Sequence, residues 1–208
     1  MCLILAAYRC HPDYPLIVTA NRDEFYHRPA MAARFWPEQP DLLAGKDLEA
    51  GGTWMGLTRG GRFAAVTNFR EPQQIPGRHS RGQLCLDFLA ARDTPSQFLS
   101  ALRPHAASYS GFNLLLWNGD QLMHFCNREM FARALGPGIY GISNGTINDS
   151  WPKVTNGRRA LAQSLAQYPR VTQLLDLLDE RSQPSDAELP DTGVGLVMER
   201  LLAPRFIH

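Results

Sequence analysis

The sequence predicts an α+β fold in which antiparallel sheets are covered by helices. Three observations carry that prediction. Strand-like runs come in neighbouring pairs joined by turn residues, the mark of hairpins rather than crossovers. Helical periodicity is confined to two blocks, one between the strand pairs and one towards the C-terminal end. No repeat, low-complexity linker or composition break divides the 208 residues, so a single domain over 1–208 is expected.

The elements follow in order. Residues 2–8 are mostly apolar and strand-like. Residues 9–15, Arg-Cys-His-Pro-Asp-Tyr-Pro, break the pattern, and 16–20, Leu-Ile-Val-Thr-Ala, restore it. This is a hairpin, and a midpoint near residue 12 makes paired positions sum to about 24. Residues 25–50, with prolines at 29, 37 and 40, are expected as loop. Its aromatics Phe25, Tyr26, Phe35 and Trp36 can line a pocket or cap the core. Residues 51–58 and 63–68 form a second hairpin around Gly60-Gly61. Gly51-Gly52 allows a close approach of backbone or ligand. Helices are expected over 81–92 and 95–107, the second opened by Pro95. A third hairpin joins 111–117 to 121–126 through Asn118-Gly119-Asp120. A further strand covers 139–145. Helices then span 151–168, with Pro152 in the first turn, and 171–181. A polar loop over 182–193 leads to a last short helix at 194–203.

Composition excludes several classes. With 44% hydrophobic and 20% charged residues and a net charge of +1, the chain suits a globular core and gives no footprint for nucleic acid. No apolar run has membrane-spanning length. The cysteines, at 2, 10, 85 and 126, have neither zinc-site nor disulfide-framework spacing, so reduced thiols in the cytoplasm are expected. His124 and Cys126 share a strand face but lack further partners as metal ligands, so no metal site is expected.

The chemistry-bearing stretch is the start. Cys2 follows the initiator, and removal of Met1 would expose a thiol (pKa about 8.5) and an α-amine (about 7.7–8.0) on one residue. That residue would hold a nucleophile and a general base together. A buried cysteine at a strand start is the alternative. The hairpin register places Cys2 opposite about Arg22, beside Asn21, Asp23 and Glu24. A guanidinium there favours a thiolate, and a carboxylate can hold either cation in place. Asn68 closes its strand as Asn21 closes the earlier one, and so does Asn144. Such an amide can stabilise an oxyanion or simply form a turn.

These residues resemble a known family. Met-Cys-Leu-Ile at the start, Asn21-Arg22-Asp23-Glu24 with Arg28-Pro29, Gly51-Gly52-Thr53-Trp54-Met55-Gly56, Thr67-Asn68-Phe69-Arg70, Ser80-Arg81-Gly82, Gly111-Phe112-Asn113-Leu114, Ser143-Asn144 and Trp151-Pro152-Lys153 resemble the NRDE, or transport-and-Golgi-organisation, family. The match runs in order over about residues 1–155. The resemblance implies an N-terminal-nucleophile (Ntn) hydrolase-like fold, a four-layer αββα sandwich of two antiparallel sheets between helices. By analogy with cysteine amidases of that fold, Cys2 would be nucleophile, Arg22 and Asp23 would orient it, and Asn68 and Asn144 would contact the oxyanion or substrate amide. Asn21, Glu24, Arg28, Trp54 and Arg70 would contact substrate. Family members generally continue into further strands beyond the point where this sequence stops, so its C-terminal strands are expected to be missing. The activity so implied is Cys2-dependent hydrolysis of a linear amide or thioester, on a small hydrophobic acyl ligand and with no cofactor required. The alternative, from the family's links to haem trafficking, is a non-catalytic carrier with haem (a porphyrin) as ligand. A vestigial pocket on a scaffold is a third reading. The sequence leaves the oligomeric state open.

Overall fold

Ten strands and five α-helices are formed by the described residues, which are 2–73, 77–166 and 168–207 of a computed structural model. Met1, His208 and Gln167, near the end of the expected helix over 151–168, lie outside them. The chain divides into two compact units, Met1–Asp23 with Arg70–Gln73 and Gly136–His208, and Glu24–Phe69 with Gln74–Leu135.

The first unit is built on a three-stranded antiparallel sheet. Its central strand is β1 (Cys2–Tyr8), flanked by β2 (Leu16–Arg22) and by the distant β10 (Gly138–Ile142). The β1–β2 register runs from Cys2 opposite Arg22 to Tyr8 opposite Leu16, as the hairpin midpoint requires. β1 is buried along its whole length, which explains its near-continuous apolar sequence. Leu3, Leu5 and Ala7 on one face form a core with Val154 and Leu161 of α3 (Pro152–Leu165) and with Leu177 and Leu178, which follow α4 (Val171–Asp176). Gly157 lets α3 approach the sheet, because a Cβ there would stand 2.9 Å from Leu5 Cδ1. Cys2, Ile4, Ala6 and Tyr8 alternate onto the opposite face. The short α5 (Leu196–Leu201) completes the unit.

The second unit is a seven-stranded antiparallel sheet in the order β3 (Ala30–Trp36), β4 (Gln39–Asp47), β5 (Met55–Thr58), β6 (Phe63–Asn68), β7 (Phe112–Trp117), β8 (Leu122–Cys126), β9 (Phe131–Leu135). Helices α1 (Arg81–Ala90) and α2 (Pro95–Leu102) supply Leu84, Phe88 and Leu99 to a core with Val66, Leu114, Leu116 and Phe125. Thr94 caps α2: its hydroxyl accepts from Gln97 N at 3.2 Å, and Gln97 Oε1 accepts from Thr94 N at 2.9 Å. Gly52 meets backbone rather than a ligand, since a Cβ would stand 2.7 Å from the Gly82 carbonyl carbon.

One expectation is corrected here. Residues 25–50 are not loop, because 30–36 and 39–47 pair as the β3–β4 hairpin with its turn at Pro37-Glu38. β9 is likewise a strand the sequence reading passed over. Both β3 and β9 are sheet edges and mostly solvent-exposed, so neither displays the apolar alternation that marks a half-buried strand.

Candidate functional site

The end of β1 brings together residues from three segments of the first unit. Cys2, 7% exposed, lies opposite Arg22 on one side. On the other side, the β1–β10 register pairs Ile4 with Ile142. Ser143 and Asn144 directly follow β10. Ser143 Oγ donates to the Cys2 carbonyl at 3.0 Å and to Asn144 Oδ1 at 3.3 Å. The Asn144 carbonyl accepts from Arg70 N at 2.6 Å. Asn144 is fully buried, so its amide is held rather than solvated. Cys2 thus stands in the central strand opposite a guanidinium residue, with the Ser143 hydroxyl on its carbonyl.

Two charged groups sit behind this row. Asp23 directly follows β2, and burial raises its carboxyl against the pull of Lys153. Lys153, in the first turn of α3, is 4% exposed and donates to the Leu202 carbonyl at 2.8 Å. Burial, with Arg70 nearby, depresses its ammonium from 10.5 to about 8, while Asp23, Cys2 and Glu199 act in the opposite direction. A cation within electrostatic reach of Cys2 stabilises negative charge on sulfur. Arg70 donates through Nη1 to Glu199 Oε2, and its guanidinium carbon lies 4.6 Å from the centre of the Trp151 ring. Glu199 Oε1 in turn accepts from Thr192 N at 2.9 Å and Thr192 Oγ1 at 2.5 Å.

The expected site residues are drawn from both units. Cys2, Arg22, Asp23, Asn144 and Arg70 belong to one unit and cluster at one end of its sheet. Asn21 shares that unit but the other strand face: it lies opposite Leu3, and its Nδ2 donates to the Leu178 and Arg205 carbonyls at 3.1 and 2.8 Å. It ties strand to helix layer. Glu24, Arg28, Trp54 and Asn68 belong to the second unit. There Arg28 Nε donates to Asp47 at 2.8 Å, with Glu49 and Glu24 at 3.4 and 3.9 Å, an ion-pair cluster at the base of the β3–β4 hairpin. Trp54 packs against the core of that unit, and Asn68 ends β6 opposite Phe112.

Lys153, Glu199 and Ser143 are the members the sequence reading gave no role. A lysine in a first helical turn reads as a solvated residue, and Glu199 as the polar face of a short helix. The available signal was a single acid inside the apolar run Leu196-Val197-Met198-Glu199.

The comparisons with known proteins agree with this architecture. The family model for Transport and Golgi organisation 2 matches residues 1–208. The chain is 35% identical to the mouse Transport and Golgi organization 2 homolog, over 93% of this chain and 76% of that one. To the human homolog it is 33% identical over the same shares, and to the Drosophila melanogaster protein 29%, over 94% and 80%. Among solved structures, a Caenorhabditis elegans N-acylethanolamine-hydrolyzing acid amidase ortholog superposes with a TM-score of 0.59 over 86% of each chain, at 8% identity. At that identity the likeness speaks for the fold alone, an α+β Ntn-hydrolase fold with two antiparallel sheets. Among the described residues no helix is long and apolar enough to cross a membrane. With a family model matched from end to end and relatives matched over nine-tenths of its length, this chain belongs to the Transport and Golgi organisation 2 family.

Proposed function

We propose that this protein is a cysteine hydrolase that uses Cys2 to cleave a linear amide or thioester. The observation that carries the reading is the sheet end: a thiol in the central strand, opposite Arg22 on one side and tied on the other to Ser143, whose neighbour is Asn144. Acyl transfer needs a nucleophile, a base and a donor to the developing oxyanion in one place. Cys2 sulfur attacks the substrate carbonyl carbon, and its α-amine, freed by removal of Met1, takes the thiol proton. Asn144 donates to the oxyanion. Collapse breaks the bond to the leaving nitrogen or sulfur, which receives that proton, and leaves an acyl-cysteine. Water then attacks the acyl carbon, releasing the carboxylic acid and restoring the thiol. Arg22 and the Lys153 ammonium favour thiolate over thiol before attack. A reducing compartment such as the cytoplasm would keep all four thiols available.

Intact mass and an electrophilic acyl probe test this. Met1 should be absent, and Cys2 should be labelled ahead of Cys10, Cys85 and Cys126. Retained Met1, or equal labelling of the four, would overturn the proposal. A second reading, a haem carrier on the same fold, draws on the exposed aromatics Phe25 and Tyr26 and on the stacking of Phe25 against His27 at 5.4 Å. Titration with haem at micromolar protein decides it, and a Soret band that does not shift saturably rejects it.

A further inference from the structure

The unit that holds Cys2 has a second chemical feature. Arg70, Trp151, Lys153, Pro190, Glu199 and Leu202 line a cavity of about 200 Å³, part of it open to solvent. Three ionic residues meet there, each more than nine-tenths buried: Arg70 at 8%, Lys153 at 4% and Glu199 at 3% exposure. Glu199 engages Nη1 of Arg70 only. The Nε and Nη2 atoms of Arg70 are buried and have no hydrogen-bond partner among the described residues. Those two nitrogens form one edge of the guanidinium, the fork that takes both oxygens of a carboxylate side by side. Leaving such an edge unmet in the interior is costly. Lys153, which makes one hydrogen bond among the described residues, has ammonium hydrogens to spare.

We infer that this cavity is an anion subsite of the Cys2 centre, taking a carboxylate group of the substrate on the Arg70 fork beside Lys153. The inference rests on the Cys2 reading above and adds the substrate class. Asp23 as well as Glu199 draws on Lys153, so the choice of a carboxylate rests on the planar fork, whose two parallel donors meet two oxygens side by side. The subsite also joins the nucleophile through the chain itself, because Arg70 N is bonded to the Asn144 carbonyl and Ser143 Oγ to the Cys2 carbonyl.

Two alkylating reagents that differ in charge test the idea on the native full-length protein. Iodoacetate and iodoacetamide both lose iodide to a thiolate with formation of a sulfur–carbon bond, so the ratio of their rates cancels the thiolate fraction. Peptide mass spectrometry gives that ratio at Cys2, with the exposed Cys10 as internal reference. The ratio of iodoacetate to iodoacetamide should be about tenfold higher at Cys2 than at Cys10, the size of one charge-assisted contact. It should fall to the Cys10 value in Arg70→Gln and part of the way in Lys153→Met. Equal ratios at the two cysteines, or a Cys2 ratio untouched by these substitutions, would overturn the subsite and leave the nucleophile standing. No alkylation of Cys2 by either reagent would overturn both. Should the Arg70 variant fail to fold, competition on the wild-type protein decides. Acetate at constant ionic strength should slow iodoacetate at Cys2 and spare iodoacetamide. Protection by phosphate but not acetate would overturn the carboxylate assignment, and equal protection by chloride would reduce the effect to screening.

Discussion

Replacing Lys153 by methionine should make the protein more stable at neutral pH and erase one part of its pH dependence. The side chain is 4% exposed, so solvent does little to screen it. Its ammonium is depressed from 10.5 to about 8, first by burial. Each unit is worth about 1.4 kcal/mol, so carrying the charge at pH 7 costs the native state about 3 kcal/mol. Methionine keeps the length of the chain, removes the charge and forfeits the bond to the Leu202 carbonyl, worth about 1 kcal/mol. The net gain should be 1–3 kcal/mol, as order of magnitude. The sign with pH follows from proton counting. Between about 8 and 10.5 the unfolded chain holds a proton that the native lysine has lost, so wild-type stability rises with pH across that window. From pH 7 to 9.5 the wild type should gain about 2 kcal/mol relative to the variant. Urea unfolding of both proteins at the two pH values measures this, with other titrating groups cancelling in the difference. A variant less stable than wild type at pH 7, or a difference that does not change with pH, would refute the account of Lys153 as a buried, strained cation. A gain in stability joined to a loss of Cys2 reactivity is the trade expected of a functional charge.

Other positions give independent checks. His124 is fully buried, donates through Nε2 to Asn113 Oδ1 at 3.1 Å, and is held neutral by burial, its pKa falling from 6.5 to about 3. Its contribution is whole above pH 6.5 and is lost as pH falls towards 3, a loss on the order of 3 kcal/mol by pH 4.5. His124→Gln should flatten the fall in urea midpoint over that range, and an unchanged acid sensitivity would count against it. Gly157→Val puts atoms where Leu5 Cδ1 lies 2.9 Å from a Cβ and should cost about 2 kcal/mol in denaturant unfolding. A neutral result would mean that α3 is free to move away from β1. Asn21→Ala removes two bonds to the Leu178 and Arg205 carbonyls and should cost 1–2 kcal/mol, read by thermal melting. A loss below about 0.3 kcal/mol would show that strand and helix layer do not depend on that amide.

What the sequence reveals depends on where periodicity and burial coincide. The first hairpin is legible because two apolar runs flank a proline-rich break, and symmetry about residue 12 then places Arg22 opposite Cys2. Asn144 is recognisable as a strand-end amide, although the pairing of β10 with β1 is what brings its segment to the Cys2 end of the sheet. The β3–β4 hairpin is hidden for a definite reason. Its outer strand has most residues in water, and a register shift between Met31 and Arg34 breaks its alternation. Lys153 and Glu199 are hidden for another. Their burial depends on residues 189–203 and on Arg70, segments with no sequence proximity to one another, and no local pattern in a helix's first turn tells a solvated lysine from an enclosed one.

The neighbours of the central strand set an order of assembly. One side of β1 is supplied within a few residues, but the other waits for Ile142 and Asn144, and the enclosure of Lys153 waits for Leu202. Closing a loop of that length is slow beside a hairpin. During synthesis Cys2 is therefore made long before the residues that surround it. A product of interrupted translation would carry the thiol with neither the amide nor the enclosed cations around it, an ordinary cysteine on an unfinished chain.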